Sequence, residues 1–162
     1  MKSANQWSLR VRVRAVTQVL SDSARRDAMA FGEALFARTL DQAPPADRMA
    51  WFITDLDDFV AHLNVRARML FRLCLFVVTW IAPIVGGRMS RLASLSLPDR
   101  IEALEALERT PLSLALFGAR AIVSLVYYEH PDAAREIGWD RKCLTAVRAE
   151  AGEAREEATV TT

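Results

Sequence analysis

A long uncharged stretch in the middle of the chain is the feature that most constrains its fold. Fifteen consecutive residues without a charged side chain separate Arg72 from Arg88. As a helix rising ~1.5 Å per residue, this stretch would be about 22 Å long, short of the roughly 30 Å hydrocarbon core of a bilayer. Pro83 and the pair Gly86-Gly87 are expected to shorten it further. We therefore predict a buried core helix or a helix that dips into one leaflet, and we rank a full membrane span third.

The overall composition is typical of a folded globular domain. Apolar residues make up 52% and charged residues 25% of the 162 residues, which is enough apolar surface to offset the entropy of ordering a core. The formal net charge of +1 gives no basic excess for binding nucleic acid. Cys74 and Cys143 have neither zinc-site nor disulfide-framework spacing, and arginines interrupt the N-terminal segment where a signal peptide needs an apolar core. These features favour the reducing cytoplasm.

Apolar residues at helical spacing, bounded by capping residues and prolines, predict an all-α fold. No alternating strand pattern persists along the chain. We predict a single-domain bundle of about six to seven helices over residues 21–140, an N-terminal arm or frayed helix over 1–20, and a charged helix or tail over 141–162. The main helices are predicted to begin near Ser21, Ala46, Val65, Ser96, Thr110 and Asp132.

Two of these helices carry specific expectations. The first should run to about Asp41, shortly before Pro44-Pro45. The helix that ends at Tyr128 is apolar almost all round from Leu112, which is typical of the centre of a bundle. Its Arg120 would then need an acidic partner or an interface, because a buried unpaired charge is very costly.

Motifs for catalysis or cofactor binding are missing from the sequence. It contains no G-x-G-x-x-G, no P-loop and no G-x-S-x-G, so we expect neither a bound FAD or NAD nor a catalytic apparatus in this chain. The strongest metal candidate is a helical face with Asp55, Asp58 and His62, although a solvated acidic face is the preferred interpretation. Asp57 is expected to point outward as well. His130 is explained by its place at a helix end.

The apolar stretch also contains candidates for membrane contact. Phe76, Trp80, Ile81 and Ile84 could lie among lipids, with neighbouring arginines at the headgroups. The alternative is that the aromatic residues belong to the core and the arginines are solvated. A stretch of this length is compatible with both interpretations.

From about Ala28 to Asp140, with motif-like detail in the last third of that range, the chain resembles the helical region that precedes the FAD domain in long-chain alcohol oxidases and dehydrogenases. These enzymes belong to the glucose-methanol-choline flavoprotein family. The segments that carry the resemblance are Leu97–Leu104, Thr110-Pro111-Leu112, the apolar helix with Arg120, Tyr127–Pro131 and Ile137–Asp140. Leu107 stands where the family pattern leads us to expect Trp. The chain is also similar to the small third subunit of gluconate 2-dehydrogenase-type complexes.

This resemblance implies a non-catalytic accessory subunit, because the chain stops where the flavin domain would begin. It would dock onto and stabilise a larger FAD-dependent alcohol or sterol dehydrogenase, in the cytoplasm or at the inner face of the membrane, and FAD would be bound by that partner. The predicted docking residues are Arg100, Arg120, Tyr127, Tyr128 and Trp139. The alternative function is a self-contained helical module that binds lipid or another hydrophobic ligand between its two apolar helices.

Overall fold

Six helices follow one another through residues 19–139, the part of the chain that the computed structural model describes. They are α1 (Asp22–Leu35), α2 (Ala46–His62), α3 (Val65–Val85), α4 (Leu97–Glu108), α5 (Ser113–Tyr127) and α6 (Pro131–Glu136). These residues contain no strand, which confirms the all-α prediction. The arm predicted before residue 19, the tail predicted over 141–162 and Cys143 lie outside the described residues.

Side-chain caps fix the starts of three helices where the sequence predicts them. Ser21 is the residue before α1, and its Oγ accepts a hydrogen bond from the backbone N–H of Ala24, at 3.2 Å. Asn64 caps α3 in the same way. Ser96 caps α4. Each cap satisfies one of the backbone N–H groups that lack a partner in the first turn, so these starts depend on local sequence alone.

Two predicted helix boundaries were wrong. A contact with a distant residue decides the first, and a local turn decides the second. α1 ends at Leu35 rather than near Asp41, since Phe36 leaves the helix to stack on Tyr127 with ring centroids 3.7 Å apart. α5 begins at Ser113 rather than at Thr110. Thr110 instead forms a tight turn in which its hydroxyl accepts from Leu112 N–H and its carbonyl accepts from Ser113 N–H.

α3 ends at Val85, directly before Gly86-Gly87 as predicted, and Gly87 adopts a φ of 78°. The expected shortening at Pro83 was wrong, because the helix continues through this residue. A π-helical segment, Val77–Ile81, precedes the proline, and Ala82 N–H donates to Val77 O five residues back. A proline ring clashes with the carbonyl four residues before it in a regular α-helix, and the wider π turn relieves that clash. By length and composition alone, α3 is sufficient to cross a membrane, a property it shares with core helices of soluble proteins.

The core lies between the inner faces of the helices. Its largest fully buried apolar side chains are Phe31, Phe52, Leu56, Val60, Phe71, Val78, Leu92, Leu107, Val123 and Val126. α5 was predicted to lie at the centre of the bundle, and this was wrong. One face of α5 contributes Leu116, Ala119 and Val123 to the core, whereas the opposite face is exposed to solvent.

Candidate functional site

A buried arginine joins three helices near the end of the described residues. Arg48, in the first turn of α2, is 7% exposed and donates two hydrogen bonds to the carboxylate of Glu136 in α6, both at 2.9 Å. It also donates to the hydroxyl of Tyr127 at the end of α5, at 3.1 Å. Arg38 forms a second ion pair with the same carboxylate, at 2.7 Å. Bidentate arginine–carboxylate pairs fix geometry strongly, so this cluster positions α6 on the bundle.

The charges of Arg48 and Glu136 stabilise each other. Hydrogen bonds from Arg48 lower the pKa of Glu136, because they favour the ionised carboxylate. The hydrogen bonds to Glu136 in turn raise the pKa of Arg48, which outweighs the opposing effect of burial. Both groups are therefore charged at neutral pH, and the cluster is suited to holding structure rather than to transferring protons.

The chain after α6 is held in a defined turn that exposes two apolar side chains. Gly138 adopts a φ of 75°, and its N–H donates to Arg135 O while Trp139 N–H donates to Ala134 O. This pattern closes a helix with a left-handed residue, for which glycine is favoured. Ile137 and Trp139, on either side of the glycine, are 58% and 51% exposed. We call residues 137–139 the C-terminal surface.

The structure gives two of the predicted docking residues internal roles. Tyr127 is buried, and its hydroxyl is used by Arg48. Arg100 pairs with Glu33 of α1 at 2.5 Å, and its Nε donates to the carbonyls of Leu92 and Leu95 in the turn before α4. Their side chains are occupied in holding the bundle together, which leaves little of either for a partner.

Arg120 is not the interior charge that the sequence suggested. Its side chain is 43% exposed, and its nearest carboxylate is that of Glu108, at 3.6 Å. Tyr128 is half-buried, with its ring edge against Phe36. Of the five predicted docking residues, Trp139 is the one whose side chain is mostly exposed.

The predicted apolar contact residues of α3 lie mainly at the surface. Phe76, Trp80 and Ile84 are exposed on the outward side of the helix, while Ile81 is half-buried against the core. The ring of Trp80 is covered on one side by the guanidinium of Arg91, 4.9 Å from the ring centroid. Met69, Leu70 and Leu73 extend this exposed row toward the start of α3.

α5 carries a second exposed apolar row that the sequence interpretation missed. Leu114 is 77%, Phe117 67% and Leu125 55% exposed. Their spacing places them on one side of the helix. The two rows lie side by side because α3 and α5 are in contact: a Cβ built on Gly118 would be 3.3 Å from Cys74 Sγ. In the sequence, Gly118 within the apolar helix was the available signal of this contact between α5 and α3.

The prediction that Asp57 points outward was wrong, since its carboxylate is fully buried. Oδ1 accepts hydrogen bonds from the N–H groups of Val19 and Leu20, at 3.1 and 2.8 Å, and Oδ2 pairs with Arg25 at 3.0 Å. Arg72 of α3 donates to the carbonyl of Val19. The segment before α1 is thereby fixed to α2 and α3.

The acidic face of α2 has the arrangement of a solvated helix surface. Asp58 and His62 approach each other at 3.7 Å, and His62 Nδ1 also lies 2.7 Å from the Asp58 carbonyl. Burial, and to a smaller extent the charge of Asp58, raise the pKa of Asp55. Between residues 19 and 139, no group of three or more His, Cys, Asp or Glu is placed to hold a metal ion.

No protein-family model matches the chain, and no curated protein or solved structure matches it either.

Proposed function

We propose that this chain is a non-catalytic accessory subunit that docks onto a larger FAD-dependent dehydrogenase of the glucose-methanol-choline type and stabilises it. The partner would oxidise alcohols or sterols and would bind the FAD. The observation that carries the proposal is that the segments resembling this family end in an exposed and rigidly held apolar turn, the C-terminal surface.

The segments that carry the resemblance fold together. They lie in α4, α5 and α6 and in the short connections around these helices up to Trp139, and the Arg48 cluster joins α6 to α5 and α2. In proteins of the resembling type, the flavin domain follows this helical region. Among the described residues, the C-terminal surface is therefore where we expect a separate flavoprotein to make its contact.

An exposed tryptophan on a rigid turn is well suited to protein docking. Tryptophan is enriched among the few interface residues that dominate binding energy. Two backbone hydrogen bonds, from Gly138 N–H and Trp139 N–H, fix the backbone of this turn, so little backbone conformational entropy remains to be lost on binding.

The test is to purify the tagged chain from its native host in mild detergent and to analyse the eluate by absorbance and mass spectrometry. We expect a yellow complex that contains a larger flavoprotein in stoichiometric amount. Trp139→Ala should lower its recovery by about tenfold or more, because truncating a dominant interface residue costs about 2 kcal/mol. Gly138→Ala, which keeps both apolar side chains but disfavours the left-handed turn, should weaken recovery in the same direction.

Met89→Ala is the matched control, because Met89 is 94% exposed and lies in the linker after α3. This variant should retain the flavoprotein fully. The proposal fails if the wild-type eluate is colourless, or if Trp139→Ala retains the flavoprotein as well as the control does.

The alternative, a module that encloses a hydrophobic ligand, gains less support from the geometry. In such a module the two apolar helices, α3 and α5, would line a pocket. Their exposed rows lie instead on the outside of the bundle. A colourless monomer that carries lipid after purification would nevertheless favour this alternative.

A further inference from the structure

We propose that the outward side of α3 and α5 is a membrane-binding face that lies in the interfacial region of an anionic bilayer, with the bundle remaining on one side of the membrane. This apolar face consists of Met69, Leu70, Leu73, Phe76, Trp80, Ile84, Leu114, Phe117 and Leu125. The proposal is independent of the flavoprotein partner proposed above.

The first argument is the size of the apolar face. All nine side chains are between 41% and 77% exposed. With roughly 150–250 Å² for a large side chain, they present on the order of 1,000 Å² of adjoining apolar surface. The largest apolar patch on a typical monomer is about 300–600 Å² and is often functional. A surface this large calls for an apolar environment outside the bundle.

The second argument is the charge around the face. Between Asp58 and Asp99 the sequence contains five arginines and no acidic residue, in a chain whose net charge is only +1. Arg66 and Arg72 are exposed on the first turns of α3, beside the start of its apolar row, and one guanidinium nitrogen of Arg72 also donates to Val19 O. A face with aromatic and aliphatic side chains and basic residues at its edge matches an anionic lipid surface better than an uncharged one.

Charges near the rest of the face are largely neutralised within the bundle. Arg88, just after α3, pairs with Asp99 and Glu102 of α4, and Arg91 pairs with Asp27 of α1. On α5, Arg120 lies 3.6 Å from Glu108. The end of α3 with Arg66 and Arg72 is therefore expected to make the strongest contact with anionic headgroups.

The third argument concerns orientation. The inner side of α3 is part of the core, with Phe71 almost completely buried and Val78 and Ala82 fully so. Crossing the bilayer would strip these residues from the core, whereas lying in its surface leaves them in place. From Met69 to Ile84 the helix rises about 22 Å, which allows all of the row's roughly four turns to enter the interface together.

The test is sedimentation of the full chain with vesicles of phosphatidylcholine alone or with about 30% phosphatidylglycerol added. We expect strong binding to the anionic vesicles, weakened by salt. Phe76→Ser combined with Phe117→Ser should reduce binding about tenfold or more, and the surface variant Met89→Ser should leave it unchanged. Arg66→Gln combined with Arg72→Gln should reduce binding to anionic vesicles about tenfold while leaving the weak binding to phosphatidylcholine unchanged.

A depth measurement gives a second readout that does not depend on affinity. Lipids brominated near the headgroup end of the acyl chain should quench tryptophan fluorescence in the wild type, and Trp80→Phe should remove most of that quenching. Circular dichroism of each variant establishes that it is folded.

Three results would overturn the proposal. The first is no sedimentation with either vesicle, and the second is equal sedimentation of the phenylalanine double variant and Met89→Ser. The third is a dimer in solution that the phenylalanine double variant dissociates, which would assign the face to a second copy of this chain.

Discussion

The buried carboxylate of Asp57 should be one of the most sensitive positions in the bundle. In Asp57→Ala, Arg25 loses its ion pair, and the backbone N–H groups of Val19 and Leu20 lose their acceptor. Breaking a buried ion pair by removing one partner costs about 3–5 kcal/mol, and an unsatisfied buried N–H costs about 1–3 kcal/mol. Arg25 is partly exposed and regains some hydration, so we expect a total loss of about 3–5 kcal/mol.

This loss can be measured as a shift in the thermal unfolding midpoint. For an unfolding unit of about 120 residues, the size of the described range 19–139, each kcal/mol corresponds to a shift of about 4 °C, so Asp57→Ala should lower the midpoint by about 12–20 °C. The assay is circular dichroism during heating, together with urea unfolding at 25 °C. Asp57→Asn should cost less, because its amide oxygen can still accept from the two backbone N–H groups.

Asp58→Ala is the control, since it is the neighbouring carboxylate on the same helix but has a side chain that is 40% exposed. We expect it to change stability by less than about 1 kcal/mol. A fall of less than about 4 °C for Asp57→Ala, or equal effects at both positions, would refute the reasoning from burial and hydrogen bonding.

Two further predictions concern the Arg48 cluster and the contact between α3 and α5. Because hydrogen bonds from Arg48 lower the folded-state pKa of Glu136 below its ordinary 4.5, this group stabilises the fold above that pH, and its contribution is lost as the pH falls through the folded pKa. Glu136→Gln should therefore flatten the decline of the urea midpoint as the pH falls below about 4.5; an unchanged slope would contradict this assignment. Gly118→Ala places a methyl group 3.3 Å from Cys74 Sγ, and the gain of about 1 kcal/mol in helix propensity opposes the resulting strain, so we expect a net destabilisation of about 0–2 kcal/mol. A double-mutant cycle with Cys74→Ala should recover part of that loss, and strict additivity would show that the two helices have room to adjust.

Local sequence predicted the helices well where local hydrogen bonds decide them. Ser21, Asn64 and Ser96 each satisfy an N–H three residues ahead, so a short window of sequence contains all the necessary information. The end of α1 and the burial of Asp57 depend on residues more than thirty positions away. No spacing rule within a single helix contains such contacts.

The candidate surfaces were predictable only in part. Apolar residues on all sides of α5 indicate that both sides avoid water, but they do not say whether the outer side meets its own bundle or another molecule. Family resemblance selected Tyr127 and Arg100 as docking residues, although both hold the bundle together. Trp139 differs from them because the backbone turn at Gly138 leaves its side chain outside.

The π segment lets α3 continue as one helix while changing the side to which the residues after it point. A π turn is equivalent to one extra residue in an α-helix. Its effect is to rotate everything after Ile81 by about 100° relative to an uninterrupted α-helix. Removing a single residue within Val77–Ile81 would therefore allow an ordinary α-helical turn to form and would leave Ile84 on its present side, whereas an unbroken α-helix of the same sequence would turn Ile84 by about 100° relative to Phe76. The insertion thus sets the angular register between the two halves of the exposed row.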